Sequence, residues 1–306
     1  MDLFISIFVA TIIAGTPLIF AALGELIVEK SGVLNLGIEG MMLIGAAFGV
    51  WAHFAGLPMP VALVAAVLSG ALASLIFGVL ALTFMTNQYA AGLALAIFGA
   101  GVSAFVGRGF GSTPVQAIQP IHIPGLSDIP VLGDLLFQFD PLVYFAFVMF
   151  GLVSWFLYKT KAGLALRAIG ESPDAAHAIG FPVIRIRYLA VMFGGAMAGL
   201  GGAYLSLVYT PLWVENMSAG RGWIALALVV FAAWRPYRVV LGAWLFGGMT
   251  ILQLQGQAIG LKIPTEFLSA LPYLATIVVL VVISRNRQAM TLDFPVSLAK
   301  PFRPKG

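Results

Sequence analysis

Apolar residues run along this chain in long blocks instead of alternating with polar ones. Blocks approaching the about 20 residues needed to cross a hydrocarbon core cover Leu3–Leu23, Met41–Gly56, Pro60–Phe84, Tyr89–Gly107, Pro141–Tyr158, Tyr188–Tyr209, Trp223–Ala233, Val239–Leu254 and Phe267–Ser284. Lipid has no water to satisfy the backbone, so only helices or closed barrels cross it. These blocks lack the period-two alternation of a barrel strand. The pattern predicts an all-α, polytopic transmembrane helical bundle with about nine spans, two of them short, forming a single domain over residues 1–306.

The most polar interruption is "GESPDAAHAIGFPVIRIR", Gly170–Arg187. Ser172 is a preferred N-cap, Pro173 sits where a helix has no partner for its N–H, and Asp174 places a carboxylate at the positive end of the dipole. Gly180 can adopt the left-handed conformation that ends a helix, and Pro182 disfavours helical geometry at Phe181. The spacing predicts a helix of two turns, about 12 Å long and far too short to span.

Composition agrees with the pattern: 61% of the residues are hydrophobic and 9% charged, against about 25% charged in an ordinary soluble domain. Cysteine is absent, which removes disulfides and thiol metal sites. "MDLF" offers neither a basic n-region nor a small-residue cleavage site, so the first block reads as a retained span. Placing the C-terminus in the cytoplasm puts 13 of the 16 Lys and Arg residues inside and leaves Arg108, Arg221 and Lys262 outside, as the positive-inside rule requires. The net charge of +4 is therefore spread over loops that flank membrane, and no nucleic-acid partner is implied. On this orientation residues 159–187 and 285–306 are cytoplasmic and 108–140 extracytoplasmic.

Polar residues inside the apolar blocks are the candidate chemistry. In "EKSGVLNLGIEGMM", Asn35 and Glu39 stand four apart at the entry to the short second span and could share a helix face. Such a segment cannot face lipid, and broken helices in transporters commonly make binding sites. A structural hydrogen-bond role for the pair is an equal alternative. Glu25, Glu29 and Lys30 read as a cytoplasmic turn. Asn87 and Gln88 open the fourth span beside Tyr89 and the small residues Ala90, Ala91 and Gly92. Amides suit hydroxyl-bearing or heterocyclic solutes, and they also cap helices and join them to one another. In "GGAMAGLGGAY" the small residues Gly194, Gly195, Ala198, Gly199 and Gly202 predict close helix contact. The proline-rich connection Arg108–Asp140 is long enough to be functional and predicts short ordered pieces at the outer interface, with a lid held against its own bundle as an equal alternative to a surface for a partner. Histidines 53, 122 and 177 lie in separate segments without ligand spacing, so neither a metal site nor a catalytic constellation is indicated.

The sequence resembles the membrane permeases of bacterial ABC importers for branched-chain amino acids, ribose and nucleosides. It is most similar to the shorter of the two permeases in nucleoside or simple-sugar systems. The resemblance rests on "TPLIFAALGELIVEKSGVLNLGIEGMMLIGA" (Thr16–Ala46), "NQYAAGLALAIFGAG" (Asn87–Gly101), "IPGLSDIPVLGDLLF" (Ile123–Phe137) and "LRAIGESPDAAHAIGFPV" (Leu166–Val183). It implies a multi-pass protein of the bacterial inner membrane that forms half of a translocation pathway. Asn35, Glu39, Asn87, Gln88 and Tyr89 would lie along that path. The implied partners are a second, homologous permease in a heterodimer, a cytoplasmic ABC ATPase and an extracytoplasmic solute-binding protein, with Arg108, Asp128 and Asp134 available for charge matching to the last. The short helix would be the coupling helix, with Glu171, Ser172, Pro173, Asp174, His177, Ile179 and Gly180 shaping it or touching the ATPase.

The chain contains no G-x-x-x-x-G-K-[ST] phosphate loop, so it is expected to be a transport subunit without its own ATPase site or cofactor, the ATP being bound by the partner. An ion-coupled secondary transporter is the alternative class, but such carriers place ionisable residues deep in several spans, and from Tyr89 onward the spans here are nearly free of them. Branched-chain amino acids or a riboflavin-like solute remain alternatives to nucleosides and sugars as cargo.

Overall fold

Eleven α-helices and no strand occur among the described residues of the computed structural model, which are 2–111, 113–127, 129, 132–258 and 293–303, with isolated helical positions 267, 270, 274, 277, 278 and 281. They are α1 (Asp2–Lys30), α2 (Ile38–Phe54), α3 (Met59–Gly78), α4 (Gln88–Gly107), α5 (Leu132–Leu136), α6 (Pro141–Lys159), α7 (Lys161–Glu171), α8 (Pro173–Ala178), α9 (Val183–Tyr204), α10 (Arg221–Phe231) and α11 (Pro236–Ala258). Single π-helical turns extend α3 over Val79–Thr83 and α9 over Leu205–Tyr209. Six helical stretches among these residues are long and apolar enough to cross a membrane: those of α1, α3, α4, α6, α9 and α11. The predicted second and seventh spans are the shorter apolar helices α2 and α10. The predicted ninth, Phe267–Ser284, lies outside the described residues apart from the six isolated positions, as do Asp128 and Lys262 and the side chain of Asp134.

The first helix departs most from expectation. It continues past Leu23 to Lys30, so Glu25, Glu29 and Lys30 are helical and buried, not a cytoplasmic turn. Burial of such groups calls for partners, and each has one, although Glu25 Oε2 and Glu29 Oε1 have none. The Asn35 N–H donates to Glu25 Oε1 (3.1 Å), the Trp234 indole N–H donates to Glu29 Oε2 (2.6 Å), and Lys30 Nζ donates to the Asp293 carbonyl (2.7 Å). α1 is the central helix, packed against α9, α11, α10 and α6, while α3 packs along α9.

Small residues set these distances, as the "GGAMAGLGGAY" pattern predicts. A Cβ on Gly195 would collide with Ser74 and the Gly70 carbonyl, and one on Gly199 with the Ala66 carbonyl. In lipid, where apolar burial gives no preference for helix over solvent, such close approach supplies the attraction.

The long connection after α4 folds back on its own bundle. Val115 N–H donates to the Pro211 carbonyl (2.8 Å) and Ile121 N–H to the Phe139 carbonyl (3.0 Å). Asp140 then caps α6 through Oδ1 and accepts the Tyr204 hydroxyl on Oδ2 (3.0 Å), and burial pushes its carboxyl above the ordinary carboxylate range.

Candidate functional site

Two helices begin in the middle of the bundle. Gly92 of α4 packs on Leu36, and Gly99 packs on Gly40, so α2 starts beside the midpoint of the 20-residue α4. The chain reaches that point from the Lys30 end through the non-helical residues 33–35 and the turn at 36–37. α10 starts at the same depth, since Gly222 lies against the backbone of Glu39, but the chain reaches it from the opposite end through residues 210–220. Its 11 residues make about 16 Å, half of a hydrocarbon core of about 30 Å. α2, with 17 residues, and the half-length α10 enter from opposite ends and meet at their helix starts, an arrangement that resembles the discontinuous helices of transporter binding sites.

Glu39 joins them. Its Oε1 accepts the Ser218 hydroxyl (2.6 Å) and the Gly220 N–H (2.8 Å), and its Oε2 accepts the Gly222 N–H (2.6 Å). The carboxylate thus satisfies donors at the α10 N-terminus that have no partner within that helix, at the end where the dipole favours negative charge. Arg221 begins this helix, its Nη1 donating to the Ser218 carbonyl (3.2 Å) and its guanidinium over the Tyr209 ring. It belongs to the bundle and not to an outer loop.

Asn35 precedes the start of α2, so it does not share a helix face with Glu39. It closes a turn by accepting the Gly37 N–H on Oδ1 (3.0 Å). Gln88 is buried and accepts the Leu34 N–H (2.9 Å). Asn35, Gln88 and Glu25 therefore hold the non-helical entry to α2. Asn87 is the N-cap of α4, accepting the N–H groups of Tyr89 (2.9 Å) and Ala90 (3.1 Å). It and Tyr89 are exposed, on a face that Leu93 and Ile97 continue.

Sequence reasoning missed the partners at the other end of α10. Ala233 and Trp234 both take positive φ, 47° and 55°, an uncommon conformation without glycine, and this sharp turn sets the indole on Glu29. The i, i+4 spacing of Glu25 and Glu29 inside an apolar helix was the available signal. Nothing in the sequence pointed to Trp234, 205 residues away.

α8 begins at Pro173 with Ser172 as N-cap, accepting the Ala175 N–H (3.4 Å), and the chain leaves through Gly180 at φ 94°. Ala176 is buried with Ile169, Val183 and Phe302. Glu171, Asp174, His177, Ile179 and Gly180 are exposed, Ile179 to 74%. Ile179 thus presents a large aliphatic side chain to solvent beside two carboxylates and an imidazole.

Residues 7–282 match the family described as the permease component of branched-chain amino acid transport systems. The chain belongs to that family. It is 36% identical to a putative glucose ABC transporter permease of Haloferax volcanii, with 96% of each chain covered. It is also 36% identical to a guanosine ABC transporter permease of Bacillus subtilis, with 89% of each covered. A nucleoside ABC transporter permease of Lactococcus lactis subsp. cremoris is 33% identical over 88% of this chain and 89% of its own. No solved structure matches. For a permease, the junction of α2 and α10 and the capped exposed helix are the two features that call for a functional account.

Proposed function

We propose that this permease forms half of the translocation pathway of an ATP-binding-cassette importer for a nucleoside or simple sugar, and that ATP hydrolysis in a partner moves it between two access states. The reading is carried by the family match over residues 7–282 together with relatives named for guanosine, nucleosides and glucose. On this reading α8 is the coupling helix. Glu171, Asp174, His177 and Ile179 touch the ATPase, while Ser172, Pro173 and Gly180 hold the helix in shape. Its end of the bundle, with Lys30, Arg167, Arg187, Arg235 and the C-terminal segment, faces the cytoplasm. The two short helices α2 and α10 and the region of Phe267–Ser284 complete about nine spans.

The path itself runs along the exposed face of α4, where Asn87 and Tyr89 offer hydrogen bonds and an aromatic surface, opposite a second, similar permease. Asn35, Glu39 and Gln88 stand behind that face and fix the backbone of α2 and α10. The extracytoplasmic loop, through Arg108 among others, receives the solute-binding protein.

The test is uptake into proteoliposomes that contain this chain, its second permease and its ATPase, enclose ATP, and have the binding protein outside. Labelled guanosine and glucose are compared. ATP-dependent accumulation of one of them is expected, and the purified chain alone is expected to release no phosphate. Uptake driven by an imposed ion gradient without the ATPase would overturn the assignment.

A further inference from the structure

α6 and α9 both pack on the central α1 yet scarcely touch each other. Between them lies an apolar groove of about 500 Å³, within the about 300–1,000 Å³ of ligand sites. Ile27 of α1 and Val153 and Ala190 form its buried floor, while Leu152, Trp155 and Leu189 stand 49–59% exposed at its lips. α7 closes it at the basic end through Ala162, Ala165 and Leu166.

The three walls continue into cations. Lys159 follows Leu152, Trp155 and Phe156 on one stripe of α6; Lys161 stands one turn before Ala165 on α7; Arg185 stands four and eight residues before Leu189 and Phe193 on α9. All three are exposed. No acidic residue occurs from Pro141 to Gly170 or from Val183 to Tyr209, and Glu171, the last residue of α7, stands ten residues from Lys161, about 15 Å along the helix. Trp155, one turn inside Lys159, has the placement of an interfacial aromatic anchor.

We infer that this groove binds one anionic phospholipid, an acyl chain lying between α6 and α9 and its phosphate held by Lys159, Lys161 and Arg185. The site lies apart from the α4 face and the α2–α10 junction, so it stands or falls separately from the assigned cargo.

The experiment places the full-length chain in phosphatidylcholine nanodiscs with a photoactivatable phosphatidylglycerol carrying its reactive group near the end of one acyl chain. Labelled peptides are expected from 149–156 and 186–193, with labelling displaced by unlabelled phosphatidylglycerol and not by extra phosphatidylcholine. Each removed cation should weaken binding about fivefold, and K159Q/K161Q/R185Q on the order of 100-fold. These positions are exposed, so the triple variant keeps the fold. Ala190→Phe fills the floor and should abolish labelling at an unchanged expression level. Equal competition by phosphatidylcholine, or labelling of equal strength on the outer face of α3 at Val64, Leu68 and Leu72, would overturn the inference. So would a photoreactive residue at Leu152 that captures another protein, including a second copy, in place of lipid.

Discussion

Replacing Glu39 tests whether α2 and α10 are held to each other through one carboxylate. Glu39→Ala leaves the Ser218 hydroxyl and the Gly220 and Gly222 N–H groups without their acceptor. A buried donor left unpaired costs about 1–3 kcal/mol. The hydroxyl can rotate and Gly220 is only half-buried, so a total of about 3–5 kcal/mol is expected. Ser218→Ala removes one donor and leaves the carboxylate two others, for about 1 kcal/mol. Glu39→Gln falls between, because its amide keeps one acceptor oxygen but turns an NH₂ toward a backbone donor. At about 2–4 °C per kcal/mol, melting in detergent should drop by on the order of 10 °C for Glu39→Ala and about 3 °C for Ser218→Ala. Trp223, next to Gly222, makes intrinsic fluorescence a local probe of the same event. Reconstituted uptake should fall in the same order. If Glu39→Ala melts within about 2 °C of the parent and transports normally, α2 and α10 are not joined here and the reasoning fails.

Ser172→Ala removes the α8 cap and should cost about 1 kcal/mol of local stability, lowering transport and ATPase co-purification while membrane insertion stays normal. Ile179→Asp leaves α8 intact, since the side chain is exposed, and should reduce ATPase association in pull-down; unchanged association would remove α8 from the interface. Asp140→Asn keeps the cap through its one amide oxygen but turns an NH₂ toward the Tyr204 hydroxyl, which must then accept instead of donate, so it should cost less than Asp140→Ala, which should lose about 1–2 kcal/mol. Because burial raises the Asp140 carboxyl, the folded state takes up its proton at higher pH than the unfolded chain. This group's contribution to stability therefore rises as pH falls through the window between the two values, and Asp140→Asn should abolish that dependence in melting curves taken across acidic pH.

What the sequence made legible was local. Ser172, Pro173 and Gly180 specify α8 with groups no more than three residues from the backbone they satisfy, and Asn87 marks a further helix start in the same way. The apolar blocks located every long helix. What stayed hidden depends on partners far along the chain. Glu25 and Glu29 lie in a helix that sequence reasoning ended at Leu23, because a carboxylate reads as a loop residue until its acceptor role toward Asn35 and Trp234 is seen. Asn35 and Glu39 have helical spacing, yet the helix starts between them, at Ile38, and the spacing loses its meaning there. The start of α10 was placed within two residues, but its depth in the bundle follows from Glu39, 183 residues before Gly222.

The C-terminal segment shows how these distant contacts converge on α8. Arg187, 1% exposed in the first turns of α9, donates to the Ser31 carbonyl through Nε (3.0 Å) and to Ser297 Oγ through Nη2 (3.1 Å). The Ser297 hydroxyl in turn donates to the Gly170 carbonyl at the end of α7 (2.7 Å), and Phe302 packs on Ala176 of α8, its ring 5.7 Å from that of His177. Residues 293–303 thus tie α8 and α7 to the end of α1. From there Glu29 reaches the turn after α10 and Glu25 reaches the entry to α2. On the proposed reading of α8 as the coupling helix, a push on it is delivered to a single corner, because the buried donors there would lose their acceptors if the pieces moved independently, at about 1–3 kcal/mol each. α10 is fastened at both ends, to Glu29 at one and to Glu39 at the other, so it cannot follow α1 without pulling the start of α2 with it. On the same reading, a movement that begins at the basic end reaches mid-membrane depth at the junction of α2 and α10, a broken-helix arrangement of the kind that forms binding sites in transporters.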